Sequence, residues 1–172
     1  MSTQSSIKKD AINVIGTELE GIKKLNKSIN KEFEKAIHCL SKVKGRVIIT
    51  GIGKSGHIAS KIASTMSSTG TPAQYCHSTE MSHGDLGIIS KKDILIIISN
   101  SGNSNELLDV IEYAKKNLIK TIGISSNIKS ELIQASTFPI LLPKVKEACA
   151  VGMAPTTSTT LTLVLGLSLI HI

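Results

Sequence analysis

From Asp10 to Val43 the apolar positions fall at Ile12, Ile15, Leu19, Ile22, Leu25, Ile29, Phe33, Ile37 and Leu40, and lysines and glutamates fill the opposite face. Steps of three and four residues return a side chain to one side of an α-helix, so the stretch predicts a helical arm, broken near Asn26 to Asn30. Such an arm packs on its own domain or on another subunit, and the pattern leaves both open. After "KGR" the period changes. "RVIIT" (46–50), "AQYCH" (73–77), "ILIII" (94–98), "TIGIS" (121–125) and "FPILL" (138–142) read as short strands, several of them apolar without interruption, as strands covered on both faces are. Helical patterns lie between most of them, at 57–68, 105–117 and 129–135, and Leu107, Leu108, Ile111 and Ala114 give the second an inward stripe.

Strands alternating with helices predict a three-layer α/β sandwich around a five-stranded parallel sheet of flavodoxin-like order, with an N-terminal helical arm over 1–45. The segments 80–87 and 145–155 fit neither period and are expected to be loops rich in polar side chains, the kind that carries function. The final apolar run, "LTLVLGLSLIHI", is about half the length a membrane-spanning helix needs and reads as a buried helix.

Composition changes this picture little. The 172 residues suit one domain, and the net charge of +7 comes almost entirely from lysine, with Arg46 the single arginine. Nucleic-acid readout favours arginine and aromatic stacking, yet aromatics make up 2% and the lysines are scattered, so no nucleic-acid partner is expected. Cys39, Cys76 and Cys149 are odd in number and lack CxxC spacing, which predicts reduced thiols without a disulfide or a metal site. The polar N-terminus has no signal-peptide core, and a cytoplasmic protein with no membrane association is expected.

Two loops stand out. "GIGKSGH" (51–57) follows the first strand and "SNSGNSNE" (99–106) follows the third, each leading into a helix. In the expected strand order these exits lie side by side at the point where the order reverses, the place where parallel sheets bind ligands. Gly51, Gly53, Gly56 and Gly102 permit close approach of main-chain N–H groups, and helix starts favour an anion. Ser55, Ser99, Ser101 and Ser104 add hydroxyl donors, so the pair of loops predicts a phosphate site. Serines of this kind also cap helices and make turns, but two such loops at the two positions topology selects favour the phosphate. Neither G-x-x-x-x-G-K-[ST] nor a complete dinucleotide fingerprint is present, which argues against a nucleotide at these loops.

The motifs "GIGKSGHIASKIASTMSSTGTPA", "MSHGDLG", "ISNSGNSNEL" and "KEACAVGMAPTTSTT", in this order over 46–166, resemble those of the SIS (sugar isomerase) domain family, and within it those of bacterial arabinose-5-phosphate isomerases. The resemblance implies interconversion of D-ribulose 5-phosphate and D-arabinose 5-phosphate, for synthesis of the eight-carbon acid sugar of lipopolysaccharide or capsule. It implies catalytic roles for Lys54, His83, Glu106 and Glu147. It also implies a phosphate site of Gly53, Ser55, Ser99, Asn100, Ser101 and Ser104, no metal or organic cofactor, and a homodimer or homotetramer. Asn103 stands where the family more often has glutamate. The chemistry asks for such a set: enediol isomerisation needs a base for a carbon-bound proton, an acid for the oxygen, and a donor to stabilise charge on that oxygen. Glu147, then Glu106, is the candidate base. Asp85 is expected to anchor its loop and Thr156 to Thr160 to line the start of the last helix, reaching the sugar or only capping it; His57 and His77 are candidates for the pocket rim, with a structural role favoured.

The family continues into a second catalytic histidine in an H-P-G-G context, and many members add CBS domains. The sequence ends at "LGLSLIHI", where His171 has no such context, so the expected organisation is an arm (1–45) followed by a shortened SIS domain (46–172) without CBS domains. Two other readings stand beside the isomerase: a non-catalytic sugar-phosphate-binding SIS domain, and a different phosphosugar isomerase of the same family.

Overall fold

In the computed structural model, which describes residues 3–170, β1 (Val47–Gly51), β2 (Ala73–His77), β3 (Ile94–Ile98), β4 (Lys120–Ser125) and β5 (Phe138–Leu141) form one sheet. The order is β2-β1-β3-β4-β5 with every pairing parallel, as expected. The helices are α1 (Thr3–Lys24), α2 (Lys31–Leu40), α3 (Lys54–Ser68), α4 (Ser78–Ser82), α5 (Asn105–Lys116), α6 (Glu131–Ala135) and α7 (Thr157–Ser168). His171 lies outside the described residues.

Successive strand residues point to opposite faces, and here both faces are buried. Val47, Ile49, Ile94, Ile96, Ile122 and Ile140 share one core with α2, α3 and α7, while Ile48, Leu95 and Ile97 share the other with Leu107 and Val110 of α5 and Leu132 of α6. This accounts for strands without polar alternation. β1 begins one residue later than the expected 46–50, and the Arg46 N–H is taken by Asp93 Oδ1 at 2.7 Å. Asp93 is 4% exposed, and its Oδ2 accepts from Ser90 N at 2.7 Å, so one carboxylate ties the turn before β1 to the turn before β3.

The break in the arm is where the sequence places it. A 3-10 turn covers Leu25–Ser28, and Asn30 caps α2 by accepting from Glu32 N and Phe33 N. Of the two fates considered for the arm, packing on its own domain is seen toward the end of α1. Ile22 and Leu25 join the core, whereas Ile12, Ile15 and Leu19 are at least half exposed. Ser28, inside the connection, donates from Oγ to Leu141 O at 2.6 Å on the outer side of β5, the strand that also contains Pro139.

Two segments differ from expectation. α3 starts at Lys54, three residues before the apolar pattern shows it, since Lys54 and Ser55 in its first turn line an open cleft instead of the core. The expected loop at 80–87 holds the end of α4 and a 3-10 turn at Asp85–Ile88. α4 is too short to show a period: Met81 is its one fully buried apolar side chain, Ser78 bonds Thr50 Oγ1 at 2.8 Å, and His77 Nδ1 accepts from Thr79 N. The 145–155 segment is a loop, as read. All three cysteines are free. No helix among the described residues is long and apolar enough to cross a membrane.

Candidate active site

Gly51 pairs with Ile98 across β1 and β3, so the chain leaves both strands at the same level. From β1 it turns at Gly53, whose φ of 55° and ψ of −125° suit glycine, and enters α3 at Lys54. The first N–H groups of α3 lack helical acceptors and face the gap between the two exits. The Lys54 side chain is exposed and has no carboxylate partner among the described residues.

The second exit is clamped from behind. Ser99, nearly buried, accepts from Gly102 N at 3.0 Å. Gly102 has a φ of 71°, and a Cβ there would run into the Ser130 side chain. Asn100 O accepts from Ser125 Oγ, Ser126 Oγ and Ser126 N, and Asn127 Nδ2 donates to Ser101 O. The turn after β4 thus fixes the loop, leaving Asn100 and Ser101 exposed, and Ser104 caps α5 without committing its hydroxyl. The sequence reading missed Ser125, Ser126, Asn127 and Ser130. Their signal was present in the polar run "SSNIKS" that follows the strand next to β3.

A third wall comes from α7. Lys54, Ser55 and Asn100 face Pro155, Ser158, Thr159 and Thr162 across a cleft of about 140 Å³. The Ser158 hydroxyl is buried and unpartnered. Glu147 fixes this wall: its Oε2 accepts from Thr156 N (2.7 Å), Thr156 Oγ1 (3.1 Å) and Ser158 N (3.2 Å) at the start of α7. Burial pushes the Glu147 carboxyl up, but donors on Ser158 and Thr156 outweigh it and hold the group below its ordinary range. Its Oε1 has no hydrogen bond among the described residues. Ala148 N donates to the hydroxyls of Thr156 and Thr157, and Thr157 Oγ1 donates to Glu18 Oε1 on α1 at 3.0 Å. Nothing in the sequence distinguished Glu18 from the other acids of the arm.

The cleft therefore joins Lys54, Ser55 and Asn100. Glu147 does not line it but bonds the backbone of Ser158, which does, and Gly53, Ser99, Ser101 and Ser104 lie outside its walls. Glu106 and His83 are not among its walls. Glu106 sits exposed in the first turn of α5, and its carbonyl accepts from Ser82 Oγ at 3.2 Å. His83 follows directly at the end of α4, exposed. Among the described residues no group of three or more potential metal ligands occurs. The chemistry available is anion binding by helix starts, with a lysine and carboxylates nearby.

The SIS domain model matches residues 39–172. The arabinose 5-phosphate isomerase KdsD of Yersinia pestis is 47% identical over 153 residues, which cover 89% of this chain and 47% of that protein. KdsD of Francisella tularensis is 48% identical over 160 residues, 91% of this chain and 49% of that protein. The chain thus spans about half the length of the curated relatives it matches. A solved E. coli CFT073 protein in complex with arabinose 5-phosphate superposes with a TM-score of 0.91 at 35% identity, covering 99% of this chain and 90% of that one. With five parallel strands in this order, two polar loops at the reversal point and a family model matched over most of its length, the chain belongs to the SIS domain family.

Proposed function

We propose that the protein interconverts D-ribulose 5-phosphate and D-arabinose 5-phosphate. The observation that carries this reading is the meeting of the two glycine- and serine-rich exits with the Glu147-capped start of α7 at one cleft. The phosphate is held by N–H groups at Gly53 and Ser55 and by Ser99, Asn100, Ser101 and Ser104. Glu147, through its open Oε1, removes a proton from C1 of the ketose while the C2 oxygen is protonated, giving the cis-enediol. Proton return to C2, with loss of the O1 proton, yields the aldose. Lys54 stabilises charge on the oxygens, and His83 and Glu106 complete the acid–base set as the segments bearing them approach the substrate. The relatives named above and the E. coli complex support the substrate assignment.

Purified protein is expected to convert ribulose 5-phosphate, and Glu147→Gln to lower turnover by about a hundredfold or more while retaining sugar-phosphate binding. A carboxylate held below its ordinary value is an active base above that value. The acid limb of the rate profile is therefore expected below the 4.5 of a free glutamate and absent from the neutral range. Full activity in the Gln variant overturns the role of Glu147. A second reading, sugar-phosphate binding without turnover, has in its favour that His83, Glu106 and Glu147 do not line the cleft. Binding of arabinose 5-phosphate by a parent protein that converts nothing selects it.

The protein is inferred to act in the cytoplasm as a homodimer or homotetramer. The half-exposed Ile12, Ile15 and Leu19 on α1 support an assembly formed through the arm.

A further inference from the structure

A cleft of about 1000 Å³ opens at the other end of the sheet, where β3, β4 and β5 begin, and seven of its lining residues are lysines. Helix polarity accounts for part of this charge: Lys42 and Lys44 follow the carbonyl end of α2, where cations are favoured. Lys35 pairs with Glu32 at 2.6 Å. Lys31, Lys91, Lys92 and Lys120 have neither explanation, and none has a carboxylate partner among the described residues. Asp93, on the same wall, is committed to the Arg46 and Ser90 N–H groups, which leaves Glu34 as the one uncommitted carboxylate lining the cleft. Between the lysines the floor is apolar, formed by Val43, Ile94 and the ring of Phe138. Like charges gathered over an apolar hollow repel one another and favour a multiply charged anion with a flat apolar body.

We propose that this cleft binds a small organic polyphosphate, its phosphate chain among Lys91, Lys92 and Lys120 and its ring on the Phe138 floor. Lysine acts as a point charge toward phosphate, so arginine is not required here. The site is separate from the substrate cleft, because Ile94 and Phe138 open their strands whereas Ile52 and Asn100 follow the far ends of theirs.

Calorimetric titration with ATP and with inorganic tripolyphosphate, at about 150 mM salt so that diffuse attraction is screened, tests the assignment. ATP is expected to saturate one site per chain, more tightly than tripolyphosphate. Replacing Lys91, Lys92 and Lys120 together by Ala is expected to weaken ATP roughly tenfold or more. The charge-matched replacement of Lys8, Lys9 and Lys27 leaves it unchanged, as does Ser101→Ala in the substrate loop. Melting temperature checks that each variant is folded. Absence of saturation, equal losses in the two lysine variants, or displacement of ATP by arabinose 5-phosphate overturns the site. Equal affinity for the two probes overturns the role given to the apolar floor. Because binding is read without turnover, failure here is distinct from failure of the isomerase reading.

Discussion

Asp93 and Glu147 do similar work at opposite ends of the sheet. Each carboxylate gathers two backbone N–H groups, Asp93 from two chain segments and Glu147 from the start of α7, and each is held below its ordinary range although burial alone would push it up. For Asp93 the donors are Arg46 N and Ser90 N. A carboxyl whose folded value lies below its unfolded value of 3.8 contributes stability that is complete above that value and lost as pH falls through the folded one. Asp93→Asn is therefore expected to lower stability by about 2 kcal/mol at neutral pH, since an amide nitrogen would face a donor, and to flatten the acid side of the stability curve. Urea titrations across pH 3–7 read both effects, and a variant with unchanged acid sensitivity counts against Asp93 as its source. At this scale the sequence was legible where a motif marked a residue and opaque where a contact did. Lys54, Asn100 and Glu147 are recognisable from their motifs, whereas Asp93 and Glu18 matter through partners 47 and 139 positions away.

Among elements, the centre of the sheet was the easiest to read because β1, β3 and nearly all of β4 are buried on both faces, and burial writes itself into apolar composition. α4 could not be read, because a single helical turn anchored by Met81 and a buried Ser78 has no period to detect. α7 was visible as an apolar run, but its relation to α3 was not. The two helices approach so closely that a Cβ on Gly166 would fall on the Ile62 side chain. Gly166→Ala is expected to destabilise by about 1–3 kcal/mol despite the better helix propensity of alanine, because overpacking outweighs the backbone gain. Thermal unfolding measures this; a higher melting temperature would mean that Ile62 yields without cost. Since the first turn of α7 forms a wall of the substrate cleft, the same variant is expected to raise KM.

At the scale of the molecule, the two proposed sites lie at opposite ends of the strands, and the helical arm supplies apolar surface that the single chain leaves half uncovered. Leu19→Asp is expected to shift the assembly toward monomer in light scattering while the fold is retained, because Leu19 is 50% exposed in the isolated chain. An unchanged mass would assign the contact to another surface. The border of the sheet limits how copies can meet. Along the outer side of β5 one N–H is missing at Pro139, and the Leu141 carbonyl is already occupied by the Ser28 hydroxyl. A neighbour seeking to extend the ladder there finds one donor missing and the Leu141 acceptor taken. Strand addition is disfavoured on that flank, so a partner that approaches from it is expected to dock side chain to side chain.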